Sequence, residues 1–343
     1  MTQLTRRTRT VVLAAALAAA CLGTAVPASA AIPASVSWHH GLPAHLVGRA
    51  ASLHPEGVTW DPTRQAFLVS SARHGTVSVV RRDGGTRVLV DDPAIISSYG
   101  VHVDAARGRI LVAYADLGVA TRSTAETTLK VGGVGVFDLA TGRRLFVVDL
   151  TRLEPTRAAF AVNDLTFGPD GTIYAADVFS DAVYRITPRG QASVLVRDPA
   201  LTDGNGVGVN GIVYHPSGNL LGVNTGDGRL IRISLRTKKV STVVTPGRLV
   251  GGDGLAVRRD GTVVAVTNSL GSPNGTDAVR VLASADGWRT AREQWTNPAW
   301  PVRGPSTVAV TPHGDYVLSG RLELLFGPDH TTADDFVLRR ATP

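Results

Sequence analysis

The stretch "VNDLTFGPDGTIYAADVF", Val162 to Phe179, decides the fold. Apolar residues alternate on either side of Pro169-Asp170-Gly171-Thr172, a pattern of two short strands joined by a tight turn. Two polar, turn-favouring residues, Asn163 and Asp164, stand at the mouth of the first strand. Either they make a turn or they hold something.

The same unit recurs along the chain. "EGVTWDPTRQ" begins at Glu56, "YGVHVDAARG" at Tyr99, "NGIVYHPSGN" at Asn210, "DGLAVRRDGT" at Asp253 and "STVAVTPHGD" at Ser306. Each copy reads as a cap residue, usually followed by glycine, then an apolar-x-apolar strand, a turn and a second apolar strand. The caps are spaced by 43, 64, 47, 43 and 53 residues. Repeats of this period built from short strands are the signature of propeller blades, so the expected fold is all-β, a six-bladed β-propeller. Sustained 3.6-residue apolar periodicity is nearly absent, which speaks against a helical fold. The longest spacing contains "DLTRLEPTRAAFAV", Asp149 to Val162, expected as a long loop on the ligand face. "HLVGRA" near the start and "DDFVLRR" near the end are expected to complete one blade together and close the ring.

The chain opens with a basic segment (Arg6, Arg7, Arg9), an apolar run from Val11 to about Val26, and the small-residue site Ala28-Ser29-Ala30. This pattern implies a cleaved secretory signal over residues 1–30, with a single propeller domain over 31–343 and a secreted or extracytoplasmic product. The run is too short for a membrane span. Lipid attachment at Cys21 is the second choice, because Ala18 stands where leucine is preferred. The only Cys and the only Met lie in this leader, so the mature chain has no thiol chemistry and no Cys-based metal site. Without its three Arg, 32 basic residues face 28 acidic ones, a net charge of +4 with no clustered patch. That gives no case for a nucleic-acid surface, which should show a clustered basic patch or stripe. A monomer is the default.

In a propeller the innermost strand of every blade lines the central channel. The caps Glu56, Tyr99, Asn163, Asn210, Asp253 and Ser306 should therefore ring its mouth. Glu56, Asn163, Asn210 and Asp253 are oxygen donors, the ligand type that Ca²⁺ and similar hard cations take. No imidazole or thiolate occupies a cap, so zinc and copper are not expected. Taken singly, Asn, Asp and Gly at strand starts are turn residues; four ligand-type residues at one register of four blades are more than that.

These motifs resemble the regucalcin/gluconolactonase/LRE-like superfamily over Leu53 to about Phe326, with the diisopropylfluorophosphatase-like and paraoxonase-like pattern of metal ligands. The resemblance implies a divalent cation, usually Ca²⁺, held by Glu56, Asn163, Asn210 and Asp253, with Asp253 also the catalytic general base or nucleophile. It implies hydrolysis of a lactone or related ester of a small-molecule substrate, the metal polarising the carbonyl or phosphoryl oxygen. The chain departs from the pattern in lacking an arginine-containing sugar-binding segment and a paraoxonase-like His pair. The superfamily also contains metal-free strictosidine synthase-like propellers.

The second strands end on the cap side at Ser70, Asp177, Asn224, Thr267 and Gly320, each fourteen residues after its cap. Asp177 and Asn224, with Tyr99, Arg321 and His54, are candidate substrate-pocket residues. His102 is expected to be structural. "GVGVNG", Gly206 to Gly211, matches a dinucleotide fingerprint but has no helix after it. Neither a G-x-S-x-G elbow nor an H-E-x-x-H helix occurs. The alternative to a hydrolase is a non-catalytic secreted propeller that binds a ligand or cell-envelope partner, its metal structural or absent. A quinoprotein oxidoreductase would need polar cofactor anchors that the sequence does not offer.

Overall fold

The computed structural model describes residues 41–342. The secretory signal expected over residues 1–30 lies outside the described residues. What is described is six antiparallel sheets of four strands each, a six-bladed β-propeller. In five sheets the strands pair in chain order, beginning with the innermost. Those innermost strands are Val58–Asp61, Ser97–Asp104, Val162–Phe167, Val209–His215 and Gly252–Val257.

The sixth blade is made from both ends of the chain. Pro305–Thr311, Gly314–Ser319 and Asp335–Ala341 are joined by His45–Arg49 as the outer strand. The register runs from His45 opposite Arg339 to Arg49 opposite Asp335. The closure expected from "HLVGRA" and "DDFVLRR" is thus observed, and it removes the sheet edge an open ring would expose.

The local structure follows from the repeat. In the third blade Gly171 adopts φ +81°, a left-handed conformation that favours glycine. Asp170 accepts from the Thr172 N–H at 3.0 Å and from its hydroxyl at 2.8 Å, so the turn is fixed by its own side chains. The strand that follows, Ile173–Asp177, is buried at every position, because its two faces pack on neighbouring blades. Outer strands such as Ala192–Arg197 face solvent on one side. The core therefore lies between blades. One cluster joins the sixth and first blades through Trp60, Phe67, Tyr316 and Phe336, and another joins the second and third through Leu111, Val134, Leu165 and Tyr184. Each such side chain contributes about 1.5–3 kcal/mol by burial.

One expectation needs correction. The caps are not simply the first residues of the inner strands. In five blades they sit in β-bulges, where the ladder skips between Ser98 and Val101, Val162 and Asp164, Val209 and Ile212, Gly252 and Leu255, and Pro305 and Thr307. A bulge leaves its extra residue unpaired and re-aims the side chain. That is how Tyr99, Asn163, Asn210, Asp253 and Ser306 leave the ladder.

Candidate metal centre

Glu56, Asn163, Asn210 and Asp253 converge on one small cavity of about 20 Å³ at the mouth of the channel, together with Asp164 and His102. This is room for one ion or one water. Glu56 and Asp253 are buried, and Asn163 and Asn210 are half-buried. The Oδ1 atoms of both asparagines are buried without any hydrogen-bond partner among the described residues. Such an oxygen costs about 1–3 kcal/mol when nothing satisfies it.

The carboxylates show the same deficit. Burial pushes the Glu56 carboxyl well above its ordinary range, and the negative charges of Asp253 and Asp164 push it further. Burial likewise raises Asp253, to about 7; the Asn268 amide opposes the shift, Asp164 adds to it and the Asn210 amide opposes it. A positive charge at this point would satisfy the amide oxygens and remove the repulsion between carboxylates. Among the described residues no three His, Cys, Asp or Glu side chains are grouped to hold a metal by themselves. Any cation here needs the amide oxygens as well. An all-oxygen donor set fits a hard divalent ion such as Ca²⁺, and the residues present fit that group.

Close contact between blades tightens the ring. A Cβ on Gly57 would lie 2.3 Å from the Tyr99 carbonyl oxygen, and one on Gly211 2.0 Å from that of Asp253. The glycine after the cap is therefore where one blade meets the next cap. In the third blade Asp164 takes that position. Its Oδ2 accepts from the Ile212 N–H of the fourth blade at 3.0 Å, and its Oδ1 lies 3.6 Å from His102 Nε2 of the second blade. Asn163 thus faces the cavity while Asp164 ties three blades together beside it. His102, expected to be structural, lines the cavity.

Two further residues support the ring: Asn268, which the sequence reading did not single out, and the cap Ser306. Asn268 donates from Nδ2 to Asp253 Oδ2 at 2.6 Å and to the Pro305 carbonyl at 2.7 Å. Ser306 donates from Oγ to the Glu56 carbonyl at 2.7 Å. Asn268 stands one residue beyond Thr267, the fifth blade's second-strand end; that register was the only available signal.

The expected substrate-pocket residues do not line the cavity, and each has a structural reason. Asp177 is buried, pairs with Arg157 at 2.7 Å, and accepts from the N–H groups of Ala161 at 3.0 Å and Phe179 at 2.9 Å. Asn224 donates from Nδ2 to the Val207 carbonyl at 2.7 Å and accepts from the Asp227 N–H at 3.0 Å. Both brace the chain just before their own caps, whereas Ser70 braces it just after, accepting from Gly57 N–H at 2.7 Å. Tyr99 packs with Ala72, Ala115, Val119, Leu322 and Leu325. Arg321 pairs with Asp335 at 3.1 Å. His54 accepts the Ala333 N–H at 3.1 Å, and its other ring nitrogen meets the Arg321 carbonyl at 3.1 Å. Burial lowers its pKa, so it serves as a neutral staple. The loop after Asp149 is also tied down: Glu154, Arg157 and Tyr184 are bonded together, and the Arg157 guanidinium lies 4.2 Å from the Phe160 ring centroid.

No family model matches the chain, and no curated protein does. Solved structures do. The major allergen Mala s 1 of Malassezia sympodialis superposes with a TM-score of 0.69 at 18% identity, covering 87% of this chain and 96% of that one. A gluconolactonase from Xanthomonas campestris gives 0.57 at 17% identity, covering 87% and 90%. Regucalcin from Agrobacterium tumefaciens, a calcium-binding protein, gives 0.56 at 17% identity, covering 85% and 93%. At such identities the likeness is one of fold. The chain shares the six-bladed propeller fold of that gluconolactonase and that regucalcin.

Proposed function

We propose that this is an exported propeller that holds Ca²⁺ or a similar hard cation at the channel mouth and hydrolyses a lactone or related ester there. The observation that carries the reading is the pair of unpartnered amide oxygens, Asn163 Oδ1 and Asn210 Oδ1, beside buried carboxylates that lack a counter-charge. Bound Ca²⁺ would supply Lewis-acid polarisation of a carbonyl or phosphoryl oxygen, worth several kcal/mol. Glu56, Asn163, Asn210 and Asp253 would hold the ion. Asp253, oriented by Asn268, is placed to take a proton from water. The gluconolactonase among the fold neighbours supports the reaction class by analogy of fold.

A second reading has its own support. The cavity of about 20 Å³ admits an ion but no lactone, and Tyr99, Leu322 and Leu325 form a buried apolar cluster where strands end on the cap side. A structural cation in a non-catalytic binding propeller accounts for that. A panel of aliphatic lactones, aryl esters and phosphotriesters separates the two. Ca²⁺-dependent turnover that is lost in Asp253→Asn supports the hydrolase. A Ca²⁺-induced rise in melting temperature with no turnover of any member supports the structural cation.

A further inference from the structure

Beyond the cation ring the channel widens into a second cavity of about 650 Å³, the size of a small-molecule site. Its wall has a register of its own. The residues four positions after each cap are Trp60, Val103, Phe167, Tyr214, Val257 and Val310, and all six line it. Half of this apolar ring is aromatic. Trp60 is held in place by edge contacts with Phe67 at 5.1 Å and His313 at 5.9 Å between ring centroids.

The polar groups of the wall are one-sided. The lining contains no carboxylate. It does contain Arg259, an exposed residue in the turn after Gly252–Val257, whose guanidinium has no hydrogen-bond or ion-pair partner among the described residues. Its neighbour Arg258 is paired with Asp315. The Tyr214 hydroxyl also has no hydrogen bond among the described residues. What sets Arg259 apart is its place in the lining of an aromatic cavity.

We propose that this far end of the channel is a second binding site, for a small aromatic carboxylate. The ring of such a ligand packs among Trp60, Phe167 and Tyr214, and its carboxylate meets the Arg259 guanidinium, which suits carboxylates through its forked donors. The two cavities share Val58, His102, Leu255 and Val308, but Arg259 lies past the end of Gly252–Val257, the strand whose start carries Asp253, and it does not line the cation cavity.

The test uses 2-naphthoate, titrated by calorimetry and by quenching of tryptophan fluorescence, with neutral 2-naphthylmethanol beside it. Saturable binding of 2-naphthoate at one site is expected. Arg259→Gln, an exposed change that leaves the fold intact, should weaken 2-naphthoate about tenfold and leave 2-naphthylmethanol unchanged. Val257→Trp, checked for an unaltered melting transition, should abolish binding of both by filling the cavity. Absence of saturable binding overturns the proposal, as does wild-type affinity for 2-naphthoate in Arg259→Gln.

Discussion

Asn268 and Asp253 are joined by a hydrogen bond of 2.6 Å from the amide Nδ2 to the carboxylate Oδ2, and the same amide holds the Pro305 carbonyl at 2.7 Å. The bond takes up one oxygen of Asp253 and links the fifth and sixth blades at the edge of the ring. Asn268→Ala should lower Ca²⁺ affinity about tenfold by releasing Asp253 and leaving its oxygen unpaired, with about 1–3 kcal/mol lost from stability. Calorimetric titration and urea denaturation read the two effects separately.

The pH dependence has a definite sign. Glu56 and Asp253 are carboxylates whose pKa values are raised in the folded state, so the cation-free fold binds protons more tightly than the unfolded chain does. Their contribution favours the fold below the unfolded carboxylate range and is lost as pH rises through about 7, the value for Asp253. Without divalent ions the melting temperature should fall between pH 5 and pH 8. Ca²⁺ competes with those protons, so its affinity should rise over the same interval. Melting curves at both pH values, with EDTA and with Ca²⁺, check both halves.

The unpartnered amide oxygens give a test in which the sign reverses. Asn163→Leu removes a buried oxygen that has no partner in the cation-free protein. It should raise stability in EDTA by about 1 kcal/mol or leave it unchanged, and should abolish the gain in stability from Ca²⁺. If Asn163 were only a turn residue, the substitution would act equally with and without the ion.

Asp177 should behave as a brace. It is buried, paired with Arg157, and holds two backbone N–H groups next to Asn163. Asp177→Ala leaves Arg157 without this partner and should cost about 3–5 kcal/mol in urea denaturation. A residue on the substrate would change KM with little loss of stability instead.

The blades were legible because their signal is periodic. Six copies of one strand-turn-strand pattern place "NDLTFGPDGT" and its relatives at the same register, and both the ring closure and the convergence of Glu56, Asn163, Asn210 and Asp253 follow from it. The bulges were not legible, since a bulge changes pairing without changing the apolar alternation around it. Asp164 shows the same limit. It stands where most caps are followed by glycine, and only the structure reveals the bond to Ile212 in the next blade. Asp177 and Asn224 bond to the chain's own backbone, and a polar strand end facing the right way looks the same in sequence whether it meets a ligand or that backbone.

The central claim is that the ring is a cation site, and calorimetric titration of Ca²⁺ tests it most directly, with the chain from Ala31 compared with Glu56→Gln and Asp253→Asn. The account predicts one saturable site in the wild-type protein and clearly weaker binding in both variants. No binding of any divalent ion by the wild-type protein, or equal affinity in all three, would contradict it.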